Sequence, residues 1–187
     1  MISVLGTGFD SVDVHAATQL GIPVAAVGEY CTGEVADHTL ALLLALNRRL
    51  LDYHRQVQVE HDFRWNRVQG LRRLAGQTLG LVGFGRIGQA VARRAQGFGL
   101  AVLAHDPMVP PEHAAALGVE LVPLDELYSR ADILSLHCNL SPENRGMLDA
   151  AAFARMARQP LLLNVARGGL VDEAALLEAL EIGRAHV

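Results

Sequence analysis

Gly80-Leu81-Val82-Gly83-Phe84-Gly85-Arg86-Ile87-Gly88 decides the reading of this chain. An apolar run, Thr78 to Val82, leads directly into G-x-G-x-x-G, and a helix-like segment, Gln89 to Gln96, follows. The order strand, glycine turn, helix is the context in which this pattern signals dinucleotide binding. Gly83 is expected to permit the tight turn and Gly85 to let the backbone approach a pyrophosphate. Gly88 is expected to let helix and strand pack closely. N–H groups at the helix N-terminus would face the phosphates.

Outward from this turn the chain alternates strand and helix. Apolar runs predict strands at 78–82, 101–105, 120–122, 133–137 and 161–165, and helices at 87–96, 111–116, 124–129, 150–156 and 172–180. Such a rhythm with continuously apolar strands implies an α/β, Rossmann-type doubly wound parallel sheet, its ligand crevice at the carboxyl ends of the strands. Upstream, 1–5 and 22–27 read as short strands and 12–20 as a helix closed by Gly21. Residues 34–53 read as one long apolar helix with Arg48 and Arg49 near its end, where cations suit the dipole. Residues 54–75 read as polar and irregular, anchored by Trp65.

The 187 residues are 51% hydrophobic and 19% charged, ordinary for a globular chain with a core. A net charge of −4 offers no basic field for nucleic acid or anionic membrane. All 16 basic residues are Arg, which excludes lysine nucleophiles and Schiff bases within this segment. The two cysteines, Cys31 and Cys138, form no CxxC pattern and read as free thiols in a reducing compartment. No signal peptide is evident, and the apolar stretch 40–46 is too short to span a bilayer, so a cytoplasmic location is expected. His15, His38, His54, His61 and His105 lack metal-ligand spacing and read as surface or capping residues; no metal is expected.

Three positions at strand ends could carry chemistry. Asp106 lies 23 residues after Gly83 (106 − 83), where a carboxylate can accept from both adenosine ribose hydroxyls and repel a 2′-phosphate, favouring NAD over NADP. The alternative is a simple Asp-Pro turn. Arg167, after the strand ending in Asn164-Val165-Ala166, presents a fork suited to a carboxylate and able to polarise a carbonyl. Its alternative is a surface pairing with Asp172 or Glu173. His137 closes a strand at the cofactor end, which makes a contact role more natural than a base role, beside a purely structural one. Cys138 reads as a small buried apolar residue.

The chain resembles the D-isomer-specific 2-hydroxyacid dehydrogenases over almost its whole length. The matching motifs run from Gly6-Thr7-Gly8-Phe9-Asp10 through Val35-Ala36-Asp37, Thr78–Gly88, His105-Asp106-Pro107 and Ala131–His137 to Asn164–Asp172. Tyr30-Cys31-Thr32, Leu136-His137-Cys138 and Glu143-Asn144 look most like the subgroup related to C-terminal-binding proteins. The resemblance implies two flavodoxin-like or Rossmann-like domains, a homodimer, NAD as cofactor and a small 2-hydroxy or 2-oxo acid as substrate. It divides the chain into a substrate-domain remnant, 1–30, and an incomplete NAD-binding domain, 31–187. Carried over residue by residue, Gly83, Phe84, Gly85, Arg86, Ile87 and Gly88 cradle the pyrophosphate and Asp106 holds the ribose. Cys31, His137, Cys138, Asn139, Asn144, Val165, Ala166 and Arg167 line the NAD site, and Arg167 matches the catalytic arginine. The family's acid–base glutamate and histidine are expected beyond Val187, so this polypeptide alone is expected to be inactive and, with its last strands missing, marginally folded. Glu181–Val187 reads as a non-native tail. The rival reading is an NAD-sensing corepressor-type binding protein on the same fold.

Overall fold

The computed structural model describes residues 1–183, and its chain divides into two compact units, Met1–Thr32 and the remainder from Gly33. In the first, β1 (Ile2–Val4) pairs in parallel with β2 (Val24–Ala26) through α1 (Val14–Gln19). Asp13 caps α1 by accepting from the Ala16 N–H at 2.8 Å. Gly21, at φ +66°, follows the helix end.

The larger unit is built on a five-stranded parallel sheet with order β5-β4-β3-β6-β7. Its strands are β3 (Thr78–Val82), β4 (Ala101–His105), β5 (Glu120–Leu121), β6 (Ile133–Leu136) and β7 (Leu161–Asn164). The reversal of strand order between β3 and β6 is the switch point at which such sheets open a ligand crevice. Side chains alternate across the sheet. Leu79, Leu81, Val102, Ala104, Ile133 and Leu163 enter one core with α2 (Thr32–Asn47) and α4 (Arg86–Gly97). Val82, Leu103, Leu134, Leu136 and Leu162 enter the other with α6 (Leu124–Arg130), α7 (Ala150–Arg155) and α8 (Glu173–Glu181). Both faces are covered, which explains why the strands read as unbroken apolar runs. The expected doubly wound parallel sheet is therefore the observed one. The short α5 is Pro111–Ala116, as expected.

Other expectations are corrected. The single helix over 34–53 is two: α2 ends at Asn47, and α3 (Leu50–Gln58) restarts after Arg49 enters the left-handed region at φ 54°. The polar run Asn47-Arg48-Arg49 at the break also suits one continuous helix, so the sequence conceals a change that lies in backbone conformation. Helix α3 extends five residues, 54–58, into the segment taken as irregular. The Trp65 ring is not the anchor there: 75% of the residue is exposed, and it is its carbonyl that is engaged, accepting from the Tyr53 hydroxyl at 3.2 Å. Two buried amides do that work instead. Asn47 Nδ2 donates to the Arg72 carbonyl at 2.9 Å, and Gln56 Oε1 accepts from the Arg64 N–H at 3.0 Å. His105 is half-buried rather than superficial, its Nδ1 3.1 Å from the Val122 carbonyl oxygen. Of the tail 181–187, Glu181 closes α8 and Gly183 has φ +71°; residues 184–187 lie outside the described residues.

Candidate functional site

The ends of β3, β4 and β6 converge on Gly83. Its N–H donates to the His105 carbonyl at 2.9 Å, while the His137 N–H donates to the Val82 carbonyl at 2.8 Å. Gly83 has φ +94°, and a Cβ there would sit 2.7 Å from the Cys138 nitrogen. Both the backbone conformation and the space demand glycine. A Cβ on Gly88 would lie 2.5 Å from the Gly83 carbonyl oxygen, so α4 can approach the turn only without a side chain. Gly85 differs: a Cβ there meets nothing within 4 Å. The protein does not require glycine at 85 for its own packing, so the open space in front of it is available to a ligand. Gly85 is the N-cap of α4, whose first-turn N–H groups lack intrahelical acceptors.

Asp106 belongs to this turn physically. Oδ2 accepts from the Phe84 N–H at 2.8 Å, inside the glycine motif, and Oδ1 accepts from the Met108 N–H at 2.9 Å. The Asp-Pro turn considered as an alternative is thus real, but each carboxylate oxygen keeps a second lone pair for a ligand hydroxyl. The spacing of 23 residues reflects a direct bond between the two motif elements.

His137 and Cys138 form the rear wall. His137 Nε2 is 2.9 Å from Ser135 Oγ, a polar atom buried in an otherwise leucine-rich strand. Its Nδ1 is buried with no hydrogen-bond partner among the described residues. Burial lowers the imidazole pKa to about 4, so the ring is neutral at pH 7. Burial also pushes the Cys138 thiol up, against a partial offset from a backbone hydrogen bond, and the Asp106 charge adds to the rise. A protonated thiol there fits the expected small apolar role. Asn139 is exposed on the following loop. The Asn144 side chain is engaged within that loop: Oδ1 accepts from the Ser141 N–H and Nδ2 donates to the Asn139 carbonyl, both at 2.7 Å.

Val165, Ala166 and Arg167 leave β7 at the same carboxyl edge. Arg167 caps a 3-10 turn, Gly168–Leu170, and its Nη1 donates to the Ala166 carbonyl at 2.9 Å. Asp172, the considered surface partner, instead caps α8 by accepting from the Ala174 and Ala175 N–H groups at 3.0 and 3.1 Å. The 3-10 turn escaped sequence reading, as did Ser135 and Asn164. An asparagine closing a strand two residues before a turn amide is the signal that could have found Asn164. Within the larger unit, Gly83–Gly88, Asp106, His137–Cys138 and Val165–Arg167 thus come from the carboxyl ends of β3, β4, β6 and β7. Cys31 is half-buried in the smaller unit, Met1–Thr32.

Residues 40–187 match the family model described as D-isomer specific 2-hydroxyacid dehydrogenase, NAD binding domain. D-3-phosphoglycerate dehydrogenase of Mycobacterium tuberculosis is 43% identical over 183 residues, which cover 98% of this chain and 34% of that protein. D-lactate dehydrogenase of Escherichia coli is 41% identical over 182 residues, 96% of this chain and 54% of that protein. Among solved structures, D-lactate dehydrogenase from Aquifex aeolicus, complexed with NAD and lactic acid, superposes with a TM-score of 0.91 at 33% identity, covering 98% of this chain and 55% of that one. The chain therefore spans about a third to a half of the length of these relatives. They are dehydrogenases by name, which does not favour the corepressor-type alternative. By these matches the chain belongs to the D-isomer specific 2-hydroxyacid dehydrogenases, and residues 40–187 correspond to their NAD-binding domain.

Proposed function

We propose that this chain is the cofactor-holding part of an NAD-dependent dehydrogenase acting on a small 2-hydroxy or 2-oxo acid. The observation that carries the reading is the contrast within the glycine turn. Gly83 and Gly88 are filled by the protein's own backbone, whereas Gly85 faces open space at a helix N-terminus. A diphosphate placed there meets N–H dipoles instead of side chains. Phe84, Arg86 and Ile87 complete that turn, and Asp106, already tethered to the Phe84 N–H, offers its remaining lone pairs to a ribose diol. Within the larger unit, His137, Cys138, Asn139, Asn144, Val165 and Ala166 line the rest.

When bound, NAD supplies the hydride chemistry; the chain supplies position and charge. Arg167 is the residue we assign to the acid, its fork binding the carboxylate and polarising the 2-oxo carbonyl. The neutral His137 adds no charge of its own to the wall behind that rim. In this reading residues 1–30 are part of a substrate domain, the assembly is a homodimer and the location cytoplasmic. Exposed Leu50, Leu51, Val59, Phe63 and Trp65 support a partner surface on the larger unit. Among the described residues no helix is long and apolar enough to cross a membrane.

Fluorescence titration with NADH tests the cofactor assignment. The chain should enhance and shift NADH emission with saturation, and Asp106→Ala should weaken binding about tenfold or more, given its charge-assisted hydrogen bonds. In a protein that carries this segment together with its substrate domain, Arg167→Ala should lower kcat/KM for a 2-oxo acid about 10²-fold or more, a loss well beyond any change in NADH affinity. Equal activity in the Arg167 variant would contradict its assigned role.

A further inference from the structure

We propose that Asn164 is the positioning residue for Arg167, a reading that rests on the assignment of Arg167 to the substrate acid. The Asn164 carboxamide spans the turn that carries the arginine. Its Oδ1 accepts from the Ala166 N–H at 3.0 Å, and its Nδ2 donates to the Arg167 carbonyl at 2.9 Å. Those groups belong to the peptide units 165–166 and 167–168. The unit between them, 166–167, presents the Ala166 carbonyl that receives Arg167 Nη1 at 2.9 Å. The peptide planes on both sides of the guanidinium's acceptor are thus pinned by one side chain. Holding those planes sets the direction of the middle carbonyl, one of the groups that hold the guanidinium.

The far side of the turn is immobilised by different means. The Arg167 carbonyl also accepts from the Leu170 N–H at 3.2 Å. Beyond it, the Gly169 carbonyl accepts from the Gly146 N–H at 2.8 Å, and the Leu170 carbonyl from the Leu148 N–H at 3.1 Å. The Asp172 N–H returns to the Leu148 carbonyl at 3.1 Å. Leu148 and Leu170 are both fully buried, so this seam anchors the exit of the turn in the core. The entry leaves the β6–β7 ladder at Asn164, and from there the exposed Asn164 side chain carries both of the hydrogen bonds that hold the turn's first and third peptide units. An exposed clamp of two hydrogen bonds adds little to global stability, because water competes for both groups, yet it sets a direction. That combination marks a residue kept for placement.

Side-chain nitrogen NMR of the arginines in the 187-residue chain reads this directly. The Arg167 Nε–Hε signal is identified as the one lost in Arg167→Ala. It should stand apart from exposed arginines and show hindered rotation of the guanidinium. In Asn164→Ala it should collapse towards the exposed envelope, rotating about tenfold faster, as expected for the loss of roughly one hydrogen bond's constraint. Asn164→Asp keeps the acceptor for Ala166 and loses the donor to the Arg167 carbonyl, and should fall between. Amide signals of β3 and β6 verify the fold in each variant, and the Asp variant carries the test if the Ala variant does not fold. An unmoved Arg167 signal in the folded variants overturns the proposal, as does the absence of any distinct signal lost in Arg167→Ala. The reading beneath it fails separately: adding NADH with oxamate, a 2-oxo acid mimic, would then leave the Arg167 signal untouched while the clamp result stands.

Discussion

The turn Gly83–Gly88 and the segment 48–76 sit in the same compact unit and obey opposite rules. In the turn, backbone meets backbone: the strand ends converge until two positions exclude any Cβ, and Asp106 bonds into the loop. In the segment, the largest side chains point outward; Phe63 is 62% and Trp65 75% exposed, while the buried residues are Gln56 and Leu74, with the Asn47 amide just before the segment bonded into it. A glycine pattern encodes steric exclusion, which survives translation into sequence almost unchanged. An aromatic in a polar stretch encodes only the need for a cover, and that cover can come from elsewhere. The exposed aromatics fit the proposed dimer better than a local core.

The steepest break in this comparison is Gly83→Ala. It places a Cβ 2.7 Å from the Cys138 nitrogen in a left-handed backbone. It should cost about 4 kcal/mol, at the severe end for a single substitution, and appear as a large drop in melting temperature.

Acid should act next, through the wall behind the turn. His137 titrates near 4 in the fold because burial disfavours its charge, against about 6.5 when unfolded. Between those values the unfolded chain binds a proton that the native chain refuses. The histidine's effect therefore lowers stability as pH falls from about 6.5 to about 4, then levels off, by up to about 3 kcal/mol; above pH 7 it adds no slope. Denaturant titrations should show this dependence in the parent and lose it in His137→Gln, which retains a polar group for Ser135.

The smallest effect belongs to the segment. Trp65→Ala should change the chain's unfolding free energy by about 0.5 kcal/mol or less, as for other exposed positions. Sedimentation should nevertheless show weakened self-association if the exposed aromatics serve a second copy. A large loss of monomer stability would restore Trp65 as a local anchor.

Much of the fold was legible because strands buried on both faces are continuously apolar, and because glycine, proline and aspartate punctuate their ends. Strand β4 followed by Asp106-Pro107 and the β7 strand followed by Arg167-Gly168-Gly169 were readable in this way. The break at Arg49 was not, since a left-handed arginine has no compositional signature and the apolar residues resume at Leu50 and Leu51 directly after it. The Ser135–His137 couple was hidden because residues two apart on a strand share a face only once the strand's exact ends are known. For Asn144 the residue was visible but its work was not: its hydrogen bonds brace its own loop. The clamp at Asn164 is likewise local geometry, decided by which amides a strand-end asparagine can reach.

The central claim is that the protein leaves the space before Gly85 for a diphosphate, and calorimetric titration of Gly85→Ala with NADH tests it most directly. The substitution meets nothing within 4 Å and leaves an ordinary backbone conformation, so the variant should melt within a degree or two of the parent. Its added methyl should still weaken NADH binding by about tenfold or more, because it intrudes where the pyrophosphate lies against the helix N-terminus. An equally stable variant that binds NADH as tightly as the parent, or a well-folded parent that gives no binding heat at any temperature, would contradict the account.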